Sequence, residues 1–171
     1  MIASSLLAAT VHCGGAIGAL PPADKLQVSA TVMTGTGVSL AGNAKKTYAS
    51  RTPTFLLGEV GFVHPGLDWL EFAPTVMLEV EGRVGFGLMP KLRARLPGKR
   101  VRAWGLVAMP VYVTPYTLLG VQVGVGVSVA LHRRLALVAE ATGGAYVWGS
   151  DLMANAALGQ LDLTLGLRVN F

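Results

Sequence analysis

Charged side chains are scarce in this sequence. They make up 13% of its 171 residues, roughly half their usual share in a soluble domain, whereas hydrophobic residues make up 52% and the mean hydropathy is +0.54. Long apolar runs are also missing. Beyond the N-terminal region, polar or glycine residues interrupt every run before the roughly 20 residues that a membrane-spanning helix needs. The chain therefore has much apolar surface to keep from water, but its pattern argues against membrane helices.

Cysteine is nearly absent. The single one, Cys13, excludes an intramolecular disulfide and a zinc site of the usual multi-cysteine type, and we expect no metal and no cofactor. It follows Thr10-Val11-His12, which does not resemble a lipidation motif. The net charge of +5 comes from scattered basic residues, not from one run interleaved with aromatic rings, so we also expect no nucleic-acid partner.

The first two dozen residues differ from the rest. Residues 2–19 are apolar and small, contain no lysine or arginine, and precede the proline-rich stretch 20–25. This pattern fits a removable secretory signal that lacks the basic N-terminal region. Ala16-Ile17-Gly18 places small residues at the two positions that cleavage favours. We predict a signal peptide at 1–19 and one mature domain at 25–171.

From Lys25 onward, apolar and polar residues alternate in segments that turn signals separate. In the clearest segment, Leu119 and each second residue after it are apolar, while Gly120 and each second residue after it are small or polar. A period of two indicates a β-strand with one oily face and one polar face. We predict eight strands, at 25–38, 54–63, 69–80, 83–96, 101–113, 117–131, 135–148 and 155–171.

The charged residues of these segments keep to one face of each strand. The side chains on that face are Glu59, Glu71, Glu79, Glu81, Arg83, Lys91, Arg93, Arg95, Arg102, Glu140, Asp162 and Arg168. A soluble sandwich, or a soluble lipocalin-like barrel, would bury the oily face and turn these charges to water. A membrane barrel would turn the oily face to lipid and the charges to its interior.

Loop and strand lengths favour the membrane barrel. The turns after the second, fourth and sixth strands are short, whereas the longest connection, 39–53, follows the first strand. With an even number of strands, both termini lie on the side of the short turns, which is periplasmic in outer-membrane barrels. Most predicted strands also exceed the 5 to 6 residues of soluble strands and reach the roughly 9 to 11 that cross a bilayer.

The C-terminal stretch, residues 161–171, reads Leu-Asp-Leu-Thr-Leu-Gly-Leu-Arg-Val-Asn-Phe. It resembles the closing strand of bacterial outer-membrane barrels, in which alternate apolar residues end in a phenylalanine read by the barrel-assembly machinery. By this resemblance, Leu167, Val169 and Phe171 would form the assembly signal. Size and strand number are similar to those of the small OmpA/OmpX-type barrels. The resemblance implies an all-β, eight-stranded antiparallel up-and-down transmembrane β-barrel, in contact with outer-membrane lipid and lipopolysaccharide, and we expect a monomer.

Two features conflict with a regular barrel. Pro74, Pro90 and Pro110 lie inside predicted strands, where each removes an amide donor, so we expect bulges or bends there, or shifted strand boundaries. The aromatic girdles that line both membrane interfaces of such barrels are also weak. Phe72 and Phe171 have lipid-facing parity, but an inward parity is predicted for Trp69, Trp104, Tyr112, Tyr146 and Trp148.

The charged residues predicted for the interior suggest two possible roles for the barrel. An eight-stranded barrel is just wide enough to be filled by side chains, so the inward acids and bases are expected to pair and fill the lumen, leaving a structural or surface-interaction role. The alternative is a narrow channel for small solutes, with Arg93, Arg95 and Arg102 attracting anions near the periplasmic end.

A lipid-modifying enzyme is the minor alternative, and we expect no enzyme. Ser128 and His132 share the inner face, but four strand residues separate them by about 13 Å, too far for a nucleophile–base hydrogen bond. His64 and His132 also lie in predicted periplasmic turns, away from outer-leaflet chemistry.

The predicted loop at 39–53 carries three cationic residues, Lys45, Lys46 and Arg51. It is either a solvated loop or a contact to the anionic phosphates of lipopolysaccharide.

Overall fold

The computed structural model describes residues 25–43, 46–82, 84–150 and 157–171. The predicted signal peptide at 1–19 lies outside these residues. Within them, no helix is long and apolar enough to cross a membrane. The strands are β1 (Gln27–Asn43), β2 (Lys46–Arg51), β3 (Phe55–Val63), β4 (Leu70–Glu79), β5 (Gly85–Arg95), β6 (Val101–Ala108), β7 (Val111–Thr114), β8 (Leu118–Ala130), β9 (Leu135–Gly149) and β10 (Ala157–Asn170).

These ten segments make one closed antiparallel sheet of eight barrel strands. β2 and β3 follow each other along the same edge of β1, and β6 and β7 follow each other between β5 and β8. Each of these two barrel strands is interrupted at a proline, Pro53 in one and Pro110 in the other, because proline has no N–H for the ladder. β10 pairs with β1 from Ser29↔Asn170 to Gly42↔Ala157 and closes the sheet. The predicted all-β, eight-stranded antiparallel barrel is confirmed.

The two ends of the barrel differ in their connections. We call "turn end" the end that carries the short turns 64–69, 96–100 and 131–134 together with Lys25 and Phe171. The opposite end, which we call "loop end", carries the connections after β1, β4, β7 and β9. Gly82 forms the tip after β4 with a φ of +78°, a conformation that glycine adopts without steric cost.

Strand boundaries agree with the predicted ones to within about two residues, except after the first strand. The connection predicted at 39–53 is mostly sheet, since β1 continues to Asn43 and pairs with β2 in a hairpin that extends the barrel at the loop end. Its residues alternate less clearly between apolar and polar, and all six side chains of β2 are exposed. The periodicity that marks the other strands is therefore missing from this hairpin.

The three in-strand prolines open gaps in the ladders without shifting the register. On the side of β4 that pairs with β5, Pro74 lies opposite Pro90. On the side that pairs with β3, Pro74 lies in a gap of the ladder between the pairs Glu59↔Thr75 and Phe62↔Phe72. Pro90 and Pro110 both lie at the break between β6 and β7, where the Met109 N–H donates to the Pro90 carbonyl at 3.1 Å. The expected bulges lie elsewhere, at Phe86/Gly87 and Leu119/Gly120.

The barrel is apolar outside and carries its buried charges inside. The described part of its exterior is covered by valine and leucine side chains that are more than a third exposed, whereas the interior holds buried acids and bases beside an apolar cluster that includes Met33, Leu57 and Met77. This distribution reverses that of a soluble protein and removes the soluble lipocalin-like alternative, which would need its oily face inside.

Two tryptophans depart from the predicted inward parity. Trp148 is 67% exposed and Trp69 is 53% exposed. The bulge opposite Leu119 and Gly120 lets Tyr146 point inward while both Val147 and Trp148 point outward, because an extra residue reverses the alternation beyond it. Trp69 lies in the turn before β4, where strand parity does not apply. With Trp148 at the loop end and Trp69 at the turn end, each interface gains an aromatic anchor.

Candidate functional site

Arg93 of β5 is the centre of a buried ion-pair network in the lumen. Its Nη1 donates to Glu59 at 2.6 Å and to Glu71 at 2.7 Å, and its Nη2 donates to the other oxygen of Glu59 at 2.6 Å. Nη2 and Nε both donate to Glu140, at 2.6 and 2.9 Å. One fully buried guanidinium therefore serves three carboxylates from three strands.

Lys91 and Arg168 supply further positive charge. The Lys91 Nζ lies 2.9 Å from Glu140 and 3.2 Å from Glu59. Arg168 of β10 donates to Glu71 at 2.9 Å and to the Thr31 hydroxyl at 3.1 Å. Arg95 joins the edge of the group, 3.7 Å from Glu71. The seven charged residues that form this lumen network are Glu59, Glu71, Glu140, Lys91, Arg93, Arg95 and Arg168.

An indole ring packs against the network. Trp104 of β6 places its ring 5.4 Å from the Arg93 guanidinium and 5.3 Å from that of Arg168, distances typical of cation–π contacts. Its Nε1 donates to Glu140 at 3.1 Å. Gly126 on the neighbouring β8 makes room for the ring, because a Cβ at this position would lie 2.4 Å from indole atoms. The inward parity of Trp104 was visible in the sequence, but its role in the network was not.

The network separates two small spaces in the lumen. Toward the turn end, a cavity of about 20 Å³ is lined by Glu71, Arg95 and Arg168. Toward the loop end, another cavity of about 20 Å³ is lined by Lys91 and Glu140. Each is large enough for one water molecule. The described side chains therefore fill the middle of the barrel.

Several residues assigned to the charged lumen lie outside this network. Arg102 is half-buried near the turn end and donates to the Gly98 carbonyl at 3.5 Å. Arg83 lies outside the described residues. Glu79 and Asp162 are buried, but they lie near the loop end, where no described lysine or arginine forms a salt bridge with either carboxylate.

Neutral groups surround those two carboxylates. Asp162 accepts from the Gln160 amide at 2.9 Å and from Gln122 at 3.4 Å. The Glu79 carboxylate interacts with the hydroxyl groups of Tyr112 and Tyr116. Among the described residues, the expected pairing of inward acids with inward bases is therefore not seen at these two positions. Parity identifies the face of a side chain but not its depth in the barrel.

Glu81, assigned to the inner face at the tip after β4, is exposed. It forms a salt bridge with Arg51 at the end of β2. The Thr54 backbone N–H and hydroxyl also donate to it, at 3.0 and 2.8 Å. Arg51 thus has a carboxylate partner on the outer surface, and Lys46 is exposed on the same hairpin. Lys45, the third cation predicted to contact lipopolysaccharide, lies outside the described residues.

The serine–histidine pair considered for catalysis does not form a nucleophile–base hydrogen bond. Ser128 and His132 line one cavity of about 40 Å³ at the turn end, beside Lys99 and Arg100. Among the hydrogen bonds of the described residues, none joins Ser128 to His132. The described residues also contain no group of three or more His, Cys, Asp or Glu side chains suited to a metal ion.

The predicted assembly signal lies on the outer surface at the turn end. Leu167, Val169 and Phe171 all point outward along β10 and beyond its last residue. The Phe171 backbone N–H donates to Val28 of β1 at 3.0 Å, so the last residue is held at the seam that closes the barrel.

Two solved structures share this architecture. Neisserial surface protein A matches with a TM-score of 0.58 and 15% identity, over 83% of this chain and 97% of that one. The N-terminal β-barrel domain of Pseudomonas aeruginosa OprF matches with a TM-score of 0.52 and 12% identity, over 83% and 97%. The fold is that of a small outer-membrane β-barrel. The resemblance inferred from the C-terminal strand is confirmed at the level of fold. The sequence matches no family model, and the search of curated proteins finds no match.

Proposed function

We propose that this chain is an integral outer-membrane protein with a closed lumen and a structural or surface-interaction role. The observation that supports a closed lumen is the position of Arg93, which is fully buried and bonded to three carboxylates across the barrel. Breaking such an arrangement leaves unpaired buried charges, so it opposes opening of a pathway at this depth. A narrow channel is the competing function, and catalysis is not proposed.

Single-channel recording in a planar bilayer separates a closed barrel from a channel. We expect the purified protein to give no steady openings at moderate voltage. Insertion is checked independently by the heat-modifiability of the reconstituted protein, because a folded barrel migrates differently before and after boiling. Steady, ion-selective openings of a correctly inserted sample would contradict the proposal.

We also propose that the termini and the turn end are periplasmic. The hairpin of β1 and β2, which extends the barrel at the loop end, supports this orientation, because outer-membrane barrels carry their longer excursions on the extracellular side. The labelling of single introduced cysteines can show which end of the barrel faces the cell exterior. In a chain with Cys13 replaced by alanine, we expect Ser150→Cys at the loop end to react with a membrane-impermeant maleimide on intact cells. Lys99→Cys at the turn end should react only after the outer membrane is permeabilised; the reverse pattern would invert the orientation.

Lipopolysaccharide phosphate is the proposed partner of the loop-end hairpin. The exposed β2 places Lys46 and Arg51 on its surface, although Glu81 offsets part of the Arg51 charge. Changing Lys45, Lys46 and Arg51 together to serine should reduce capture by phosphorylated lipid A but not by its dephosphorylated form. The matched control changes Lys99, Arg100 and Arg133 at the turn end to serine. If phosphorylated lipid A captured the hairpin variant as well as the unchanged protein, lipopolysaccharide phosphate would not be the partner of this hairpin.

A further inference from the structure

The loop end of the lumen holds a cavity unlike those beside the network. Its volume is about 110 Å³, against 20 to 40 Å³ for the other cavities described above. Its lining includes Thr52, Glu79, Tyr112, Tyr116, Tyr146 and Gln160, together with Ser39 and the apolar side chains of Pro53, Leu118 and Leu158. This cavity can hold a small organic molecule, whereas a single water molecule occupies roughly 30 Å³.

Glu79 gives the cavity its charge. No described lysine or arginine nitrogen lies within salt-bridge distance of its carboxylate. The Tyr112 and Tyr116 hydroxyls interact with it, which uses about two of the four lone-pair positions that a carboxylate offers. The remaining positions can accept from a bound donor, and a cationic donor would neutralise the charge.

Aromatic rings form one side of the same cavity. The Tyr112 ring centroid lies 5.8 Å from that of Tyr116, with 40° between the planes. It lies 5.8 Å from that of Tyr146, with 53° between the planes. Tilted tyrosine faces beside a carboxylate attract cations through their π electrons, and they suit an organic ammonium ion better than an anion.

Two buried hydroxyl groups add hydrogen-bonding capacity to the cavity. Tyr146 and Thr52 are only 3% and 4% exposed, and both line the cavity. The Tyr146 hydroxyl interacts with that of Tyr112, and the Thr52 hydroxyl interacts with the Asp162 carboxylate. A hydroxyl offers one donor and two acceptor positions, so each keeps an acceptor position for the N–H groups of a bound ammonium ion.

We propose that this cavity binds a small organic ammonium ion, with Glu79 as its counter-charge, the tyrosine rings as its walls and the Tyr146 and Thr52 hydroxyls as hydrogen-bonding partners. The proposal goes beyond the structural role above and does not require the lumen to conduct. The ammonium group could come from a free amine or from an ethanolamine lipid headgroup, since both present the same chemistry to the site.

Calorimetric titration of the folded protein in detergent tests the site. Ethanolammonium chloride is the probe, and ethylene glycol is its neutral counterpart of similar size. We expect saturable binding of the cation and none of the glycol. A second arm uses short-chain phosphatidylethanolamine and phosphatidylcholine below their micellar concentrations, and displacement by the ethanolamine lipid alone would identify the headgroup as the source. Equal binding of the glycol, or saturable binding of magnesium but not of ethanolammonium, would overturn the proposal.

Three variants make the test specific. Glu79→Gln keeps the shape and removes the charge, so affinity should fall by roughly tenfold or more. Glu81→Gln, two residues along the chain on the outer surface, is the matched control and should bind as the unchanged protein does. Tyr146→Phe keeps the ring but removes a hydroxyl that lines the cavity, so it should weaken binding several-fold while the protein keeps its heat-modifiable folded form. Unchanged affinity in both Glu79→Gln and Tyr146→Phe would refute the site. If Glu79→Gln does not fold, the affinity of Tyr146→Phe alone decides the test.

Discussion

Both terminal nitrogens of Arg93 on β5 donate to Glu59 on β3, each at 2.6 Å to a different carboxylate oxygen. The two strands are not neighbours, since β4 lies between them. The contact is therefore made through the lumen and not along the sheet. A bidentate pair fixes the relative orientation of its partners as well as neutralising them. Removing one partner leaves the other charge buried without compensation.

Replacing Arg93 with methionine should therefore destabilise the barrel strongly. The side chain keeps much of its volume, but three carboxylates lose their shared donor, and we expect a loss of about 3–5 kcal/mol in the free energy of unfolding. Urea unfolding in detergent, followed by tryptophan fluorescence, measures it. Arg51→Met is the control, because that arginine is exposed and its pairing with Glu81 should matter far less. Equal unfolding midpoints for Arg93→Met and the unchanged protein would show that the network adds no stability.

Gly126 is predicted to be intolerant of any side chain. A Cβ there would lie 2.4 Å from the Trp104 ring, so Gly126→Ala must displace the indole from the two arginines it contacts. We expect about 1–3 kcal/mol of destabilisation and a shifted tryptophan emission. Gly105→Ala is the matched control, since a Cβ at that outward-facing position meets no atom within 4 Å. Similar losses in both variants would mean that the cost comes from the glycine backbone and not from the indole.

Much of the barrel could be predicted because strand periodicity is local. Each side chain alternates between the two faces, so the inward directions of Glu59, Arg93 and Glu140 follow from parity alone. Parity fails where a local irregularity inserts a residue, as Trp148 shows beyond the bulge at Leu119 and Gly120. No residue pattern in that stretch marks the bulge in advance.

The partners of the inward charges could not be predicted. Their depth along the barrel axis depends on the stagger between strands, which brings Glu140 to Lys91 across the lumen although 49 positions separate them in the chain. The same stagger leaves Glu79 near the loop end, away from the arginines of β5. The hairpin of β1 and β2 was also missed, because its exposed residues have no buried face to impose alternation.

Acid should weaken the contact between Glu81 and Thr54. The Thr54 hydroxyl and backbone N–H, with Arg51, hold the pKa of Glu81 below its ordinary value of 4.5. The folded chain then binds this proton less readily than the unfolded chain does, so the stabilisation is present above pH 4.5 and is lost as the pH falls through the folded-state pKa. A ¹³C NMR titration of the Glu81 carboxyl should show the lowered pKa. Thr54→Ala should move it upward and Thr47→Ala should not, whereas a pKa at or above 4.5 in the unchanged protein would contradict the contact.

Phe171 should matter for assembly more than for the stability of the finished barrel. Its ring is 70% exposed on the outer surface, and its hydrogen bond to Val28 uses the backbone N–H, which a substitution retains. Phe171→Ala should therefore refold in detergent to the same heat-modifiable form with an unchanged unfolding midpoint. In cells it should give less of that form in the outer membrane, because the terminal phenylalanine would no longer be presented to the assembly machinery. Phe72→Ala, which removes another exposed ring near the start of β4, is the matched control. If both variants assembled equally well in cells, Phe171 would carry no assembly signal; if Phe171→Ala failed to refold in detergent, its role would be structural.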